Sequence, residues 1–110
     1  MADSFYSEIE PISECIEPFK RKSKIHYGFQ GYFTTQPFNV VGAYINHFSR
    51  QGDLVIDPFC GSGVTGVEGL KLGRKVFMSD LNPFAVFLTK SKCEYVDIVT
   101  LNSFFEKIVK

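Results

Sequence analysis

The strongest constraint on this chain lies in its middle, between residues 53 and 82. Asp53-Leu54-Val55-Ile56-Asp57 is a short β-branched apolar run and reads as a buried strand. Pro58-Phe59-Cys60-Gly61-Ser62-Gly63 reads as a loop. Val64 to Leu72 then reads as a helix, with Val64, Val67 and Leu70 inward and Gly73 as its stop. Arg74 to Asp80 is a second strand, Leu81-Asn82 turns, and Pro83 opens a helix to about Lys92. Strand, glycine loop, helix, strand and acid form a βαβ unit, so the fold class is α/β with two parallel strands. In such a sheet a ligand lies beyond the carboxyl ends of the strands. Gly61 and Gly63 let backbone approach it without a Cβ in the way. The next helix offers free N–H groups, and Asp80 stands where an acid can accept from two ribose hydroxyls.

Two ligand classes compete for this loop. Gly61-Ser62-Gly63-Val64-Thr65-Gly66 is literally G-x-G-x-x-G, and a dinucleotide fits that spacing. The flanks argue against it. In dinucleotide sites an apolar strand runs straight into the first glycine, whereas Asp57-Pro58-Phe59-Cys60 intervenes here. A carboxylate beside a pyrophosphate is repelled, but the same carboxylate suits the ammonium of an amino acid. A cofactor with an α-amino acid at one end and a ribose at the other satisfies both Asp57 and Asp80. S-adenosylmethionine is such a molecule.

The string Asp57-Pro58-Phe59-Cys60-Gly61-Ser62-Gly63-Val64-Thr65-Gly66, with Gly73-Arg74-Lys75-Val76 and Asp80-Leu81-Asn82-Pro83, resembles the amino-group DNA methyltransferases. Tyr32-Phe33-Thr34-Thr35-Gln36-Pro37-Phe38 is similar to the extra cofactor motif found ahead of the glycine loop in some of these enzymes. The resemblance spans residues 26–95. It implies a Rossmann-like fold, S-adenosylmethionine as cofactor and DNA as substrate, methylated at adenine N6 or cytosine N4 on a base flipped out of the duplex. It further implies that Phe59, Cys60, Gly61, Ser62 and Gly63, following Pro58, wrap the methionine part, with Asp57 near its amino group. Asp80 would hold the ribose, Leu81 and Asn82 would lie beside the adenine, and Thr34, Thr35 and Gln36 would close over the carboxylate end. The family's catalytic motif is Asp, Asn or Ser followed by Pro-Pro and an aromatic. No Pro-Pro pair occurs in these 110 residues, so no catalytic residue is assigned; the widely spaced Cys15, Cys60 and Cys93 suggest no zinc site, so no metal ligand is assigned either. The expectation is a chain inactive alone, whose catalytic half lies elsewhere. An RNA base methyltransferase portion, a non-catalytic remnant and a nicotinamide enzyme are the competing readings, the last disfavoured by Asp57-Pro58.

Residues 1–25 read as a loose N-terminal arm and 26–110 as a partial cofactor-binding domain. The arm opens with five acids and no base up to residue 19, then carries Lys20-Arg21-Lys22-Ser23-Lys24, a run that reads either as a phosphate contact or as a solvated turn. Residues 25–35 are aromatic, glycine-punctuated loop. Pro37 suits the first position of a helix capped by Thr35 or Gln36, with Phe38, Val41, Ile45 and Phe48 on one face. Leu101, Phe104, Phe105 and Ile108 form the stripe of a last helix capped by Asp97 or Thr100, either core or an interface with absent sequence. Twelve Lys and Arg balance twelve Asp and Glu, which excludes a polybasic tail or an acidic disordered chain. No apolar run is long enough for a membrane span, the N-terminus has no signal-peptide pattern, and three scattered cysteines give no disulfide framework. A cytoplasmic setting is expected. A methyltransferase sheet has several more strands, so two strands alone leave unpaired edges.

Overall fold

The computed structural model describes residues 4–19 and 32–109. The basic run at 20–24 and residues 25–31 of the aromatic loop lie outside them. The described elements are α1 (Ser4–Ser7), α2 (Phe38–Phe48), β1 (Leu54–Asp57), α3 (Val64–Lys71), β2 (Lys75–Met78), α4 (Pro83–Cys93) and α5 (Ile98–Val109). β1 and β2 pair in parallel, with Leu54 opposite Lys75 and Asp57 opposite Met78. The described sheet is therefore an incomplete, Rossmann-like α/β sheet of two strands.

Pleating sends alternate side chains to opposite faces. Val55, Asp57, Val76 and Met78 are half-buried, whereas Leu54, Ile56 and Phe77 are about 60 % exposed. Helix α3 covers the first face. It comes so close that a Cβ on Gly69 would stand 2.8 Å from Val76 Cγ1. Nothing among the described residues covers the second face, so β1 is not the fully buried strand its composition predicts. α2 packs on α3 through Phe38, Val64 and Val67, joined by Val41 and Cys93. Burial of such side chains stabilises by about 1.5–3 kcal/mol each. Leu70 and Phe48, expected inward, stand exposed instead. Their stripes are wider than the single contact that α2 and α3 make with each other.

Local signals set most helix ends. Asn82 caps α4, its side chain accepting from Phe84 N–H at 3.0 Å, and Pro83 begins the helix. Asp97 is the cap of α5, accepting from Val99 N–H at 3.1 Å, while Thr100 is already inside the helix and donates to Asp97. At α2 the cap is Pro37, with no side-chain hydrogen bond, so neither Thr35 nor Gln36 performs the expected capping. No residue of α5 among those described is buried; its apolar stripe is not core.

The described part of the arm, residues 4–19, expected loose, is pinned along α2. Asn39 accepts from Phe19 N–H at 2.9 Å and donates to the Glu17 carbonyl at 2.8 Å. His47 Nε2 lies 2.7 Å from the Glu10 carbonyl. Past the end of α2, Tyr6 donates to Asp53 at 2.5 Å, and the Arg50 guanidinium covers the Phe5 ring at 4.9 Å. The segment thus runs antiparallel to α2. Tyr6→Phe is expected to release α1, seen as faster amide exchange at residues 4–9 with α2 unchanged; equal protection in both proteins would exclude the tether. The Tyr6 bond raises the phenol's pKa and lowers that of Asp53. A raised tyrosine holds its contribution until pH climbs through the folded value, and a lowered aspartate until pH falls through its own. The tether is accordingly complete at neutral pH and lost at both extremes.

Candidate functional site

The site is built where β1 ends. Asp57 turns the chain by accepting Phe59 N–H on Oδ1 at 3.0 Å, an Asx turn. Parallel pairing continues past the strands through Ser79 N–H to the Asp57 carbonyl (3.0 Å) and Cys60 N–H to the Ser79 carbonyl (2.9 Å). The loop therefore starts anchored to the end of β2. Gly63 N–H closes a turn onto the Cys60 carbonyl at 2.8 Å, and Val67 N–H on the Gly63 carbonyl begins α3.

Asp80 binds this loop from the neighbouring strand end. Its Oδ2 accepts Gly61 N–H and its Oδ1 accepts Asn82 N–H, both at 2.9 Å. These N–H groups, that of Asn82 foremost and then that of Gly61, hold its carboxyl below the usual aspartate range. The Tyr32 ring also lies against Gly61, 3.3 Å from where a Cβ would stand.

A cavity of about 100 Å³ opens beside the loop, lined by Thr34, Gln36, Asp57, Phe59, Cys60, Gly61, Ser62, Val64 and Thr65. The glycine-loop residues and the upstream Thr34 and Gln36, read from separate motifs, thus share one wall-to-wall space. The remaining sequence candidates stand off it. Thr35 accepts a long 3.5 Å contact from the Ser62 hydroxyl. Pro58 presents its carbonyl to Ser79 Oγ at 3.3 Å. Gly63 is under α4, and Asp80 is one hydrogen bond away through Gly61. Leu81 is 97 % exposed, and Asn82 is occupied as the α4 cap. Sequence reasoning missed Val64 and Thr65, though both occupy variable positions of the glycine string. Two side chains of α4 that the sequence gives no local signal for also reach the loop: Thr89 Oγ1 lies 3.3 Å from the Gly61 carbonyl, and Lys92 Nζ donates to the Ser62 carbonyl at 2.7 Å.

Comparison with known proteins bears on this arrangement. The model of the N6/N4 DNA methylase family matches residues 6–91. The chain belongs to that family. It is similar to type II methyltransferase M2.MboI of Moraxella bovis, 37 % identical over 79 residues that make up 70 % of this chain and 28 % of the relative. Type II methyltransferase M.MjaII of Methanocaldococcus jannaschii is 30 % identical over 84 residues, 74 % of this chain and 15 % of its own. A ribosomal protein L11 methyltransferase of Acinetobacter baumannii is 50 % identical over 42 residues, 37 % of this chain and 14 % of its own. The chain thus spans little more than a quarter, or less, of these relatives. No solved structure gives a significant match.

Proposed function

We propose that this chain is the S-adenosylmethionine-binding portion of a DNA methyltransferase acting on an exocyclic base amine, adenine N6 or cytosine N4. The observation carrying this reading is the pair of carboxylates on either side of one glycine loop. Asp57 lines the cavity with one oxygen in its Asx turn and the other without a partner among the described residues, ready for an ammonium. Asp80 grips the loop from outside and retains lone pairs for ribose hydroxyls.

Size supports a divided site. Small-molecule pockets usually measure about 300–1,000 Å³, so a cavity near 100 Å³ admits one end of the cofactor. Asp57 would hold the ammonium of the methionine moiety there, and Thr34, Gln36 and Ser62 would offer donors to its carboxylate. Asp80, beyond Gly61, would hold the ribose, with the exposed Leu81 beside the adenine. When bound, S-adenosylmethionine supplies an electrophilic methyl group on sulfur. The residues here bind and orient it; the group that accepts hydrogen bonds from the target amine belongs to sequence outside these 110 residues.

DNA as substrate rests on the family model and the type II relatives, since the ribosomal protein methyltransferase match covers a smaller part of the chain. The uncovered sheet face at Leu54, Ile56 and Phe77, together with the α5 stripe, fits a domain completed by further sequence or a second polypeptide. Calorimetry is expected to detect S-adenosylmethionine or its demethylated product in preference to a nicotinamide dinucleotide; the reverse preference would sink the assignment. No labelled methyl should reach DNA with this chain alone, and measurable incorporation would overturn the division of labour.

A further inference from the structure

We propose that Lys92 and Thr89, on the last turns of α4, are positioning residues that shape the glycine loop for its ligand. The proposal rests on the cofactor reading above and adds to it two residues that touch no cofactor. Lys92 Nζ donates to the Ser62 carbonyl at 2.7 Å. Thr89, 5 % exposed, directs its hydroxyl at the Gly61 carbonyl (3.3 Å) and at Cys60 Sγ (3.4 Å). The two side chains stand three residues apart, hence on one face of α4.

The consequence follows from peptide geometry. A trans peptide sets its N–H opposite its C=O. Drawing the Gly61 carbonyl toward α4 turns the N–H of Ser62 away from α4. The next carbonyl, that of Ser62, is held by an ammonium, a charge-assisted bond of roughly twice the strength of a neutral one. The N–H of that second peptide, on Gly63, is consumed by the Cys60 carbonyl at 2.8 Å. Two successive peptides are thereby fixed in orientation, one with its N–H turned from the helix and one closed into the turn. The Lys92 ammonium also puts a positive charge behind Ser62, a wall residue of the cavity. It thus favours a carboxylate there without contacting it.

The test uses the full chain and three variants. Lys92→Met keeps the stem length and removes the ammonium, Lys92→Arg restores a cationic donor, and Thr89→Val keeps the shape and removes the hydroxyl. In ligand-free protein, amide NMR of Lys92→Met is expected to show shifted Gly61, Ser62 and Gly63 resonances with those of α2 in place. Its affinity for S-adenosylmethionine should fall about tenfold, that of Thr89→Val about threefold, and Lys92→Arg should regain most of the loss. Thermal midpoints should fall by several degrees at most, as loss of one loop hydrogen bond predicts, with the fold intact at the titration temperature. If Lys92→Met and Thr89→Val bind like the parent while Asp80→Ala binds weakly, the cofactor reading stands and the positioning role falls. A parent that binds no S-adenosylmethionine overturns the cofactor reading and this role with it.

Discussion

Asp80→Asn is expected to weaken S-adenosylmethionine binding by at least about tenfold, as much as is expected of Asp80→Ala. The substitution is isosteric, yet the geometry makes it non-conservative. Both carboxylate oxygens already accept a backbone N–H, Gly61 on one and Asn82 on the other. An amide can offer one oxygen only. Its NH₂ would face an N–H donor whichever way it is turned, so either the loop or the α4 entry loses its anchor. Isothermal titration of the two variants checks this, and an asparagine variant that binds like the parent would refute the two-sided grip. The pH dependence has a definite sign. The folded carboxyl lies below its ordinary value of 3.8, chiefly through the Asn82 and Gly61 N–H groups. A depressed acid contributes fully above the unfolded value and loses its contribution as pH falls through the folded one. Loop order, followed by the Gly61 amide resonance, should therefore be flat across neutral pH and collapse only in acid. The asparagine variant should lack that acid limb.

Local chemistry made much of this fold legible. β-branched runs, Gly73 and Pro83 each act within a few residues, and the elements they mark appear within a residue or two of their expected bounds. Asp57 and Gly61-Ser62-Gly63 could likewise be read as one loop, because an Asx turn and a glycine turn are written in adjacent residues. What stayed hidden depends on partners distant in sequence. The arm is held by Asn39 and His47 meeting backbone carbonyls, and a carbonyl carries no signature of residue type. Leu70, Ile56 and Phe77 look like core because apolar periodicity reports a tendency to be covered. Whether a cover exists depends on other elements, and among the described residues none lies there. Thr89 and Lys92 escaped for the opposite reason: they are polar residues on an inward face, and periodicity arguments discard polar residues.

Gly63→Ala is expected to be the most destabilising single change in the loop, and Gly52→Ala provides its control. Both glycines have left-handed backbone, with φ of 81° and 89°. An L residue there costs about 1–2 kcal/mol. At Gly52 nothing lies within 4 Å of the added Cβ, so that conformational cost is the whole effect. At Gly63 the Cβ would stand 2.7 Å from Thr89 Oγ1 and 3.0 Å from Thr89 Cα. A hydroxyl can rotate, but the helix backbone cannot yield without moving α4. Overpacking adds about 1–3 kcal/mol, giving roughly 2–5 kcal/mol for Gly63→Ala. Against a total stability of about 5–15 kcal/mol for small domains, this threatens the fold. Urea denaturation of the two variants measures the difference directly. Adding Thr89→Ala to Gly63→Ala should recover only part of the loss, since Thr89 Cα and Cβ, at 3.0 and 3.1 Å, both remain. Full recovery would mean that the hydroxyl alone sets the contact, and equal losses at Gly52 and Gly63 would mean that α4 does not press on the loop at all.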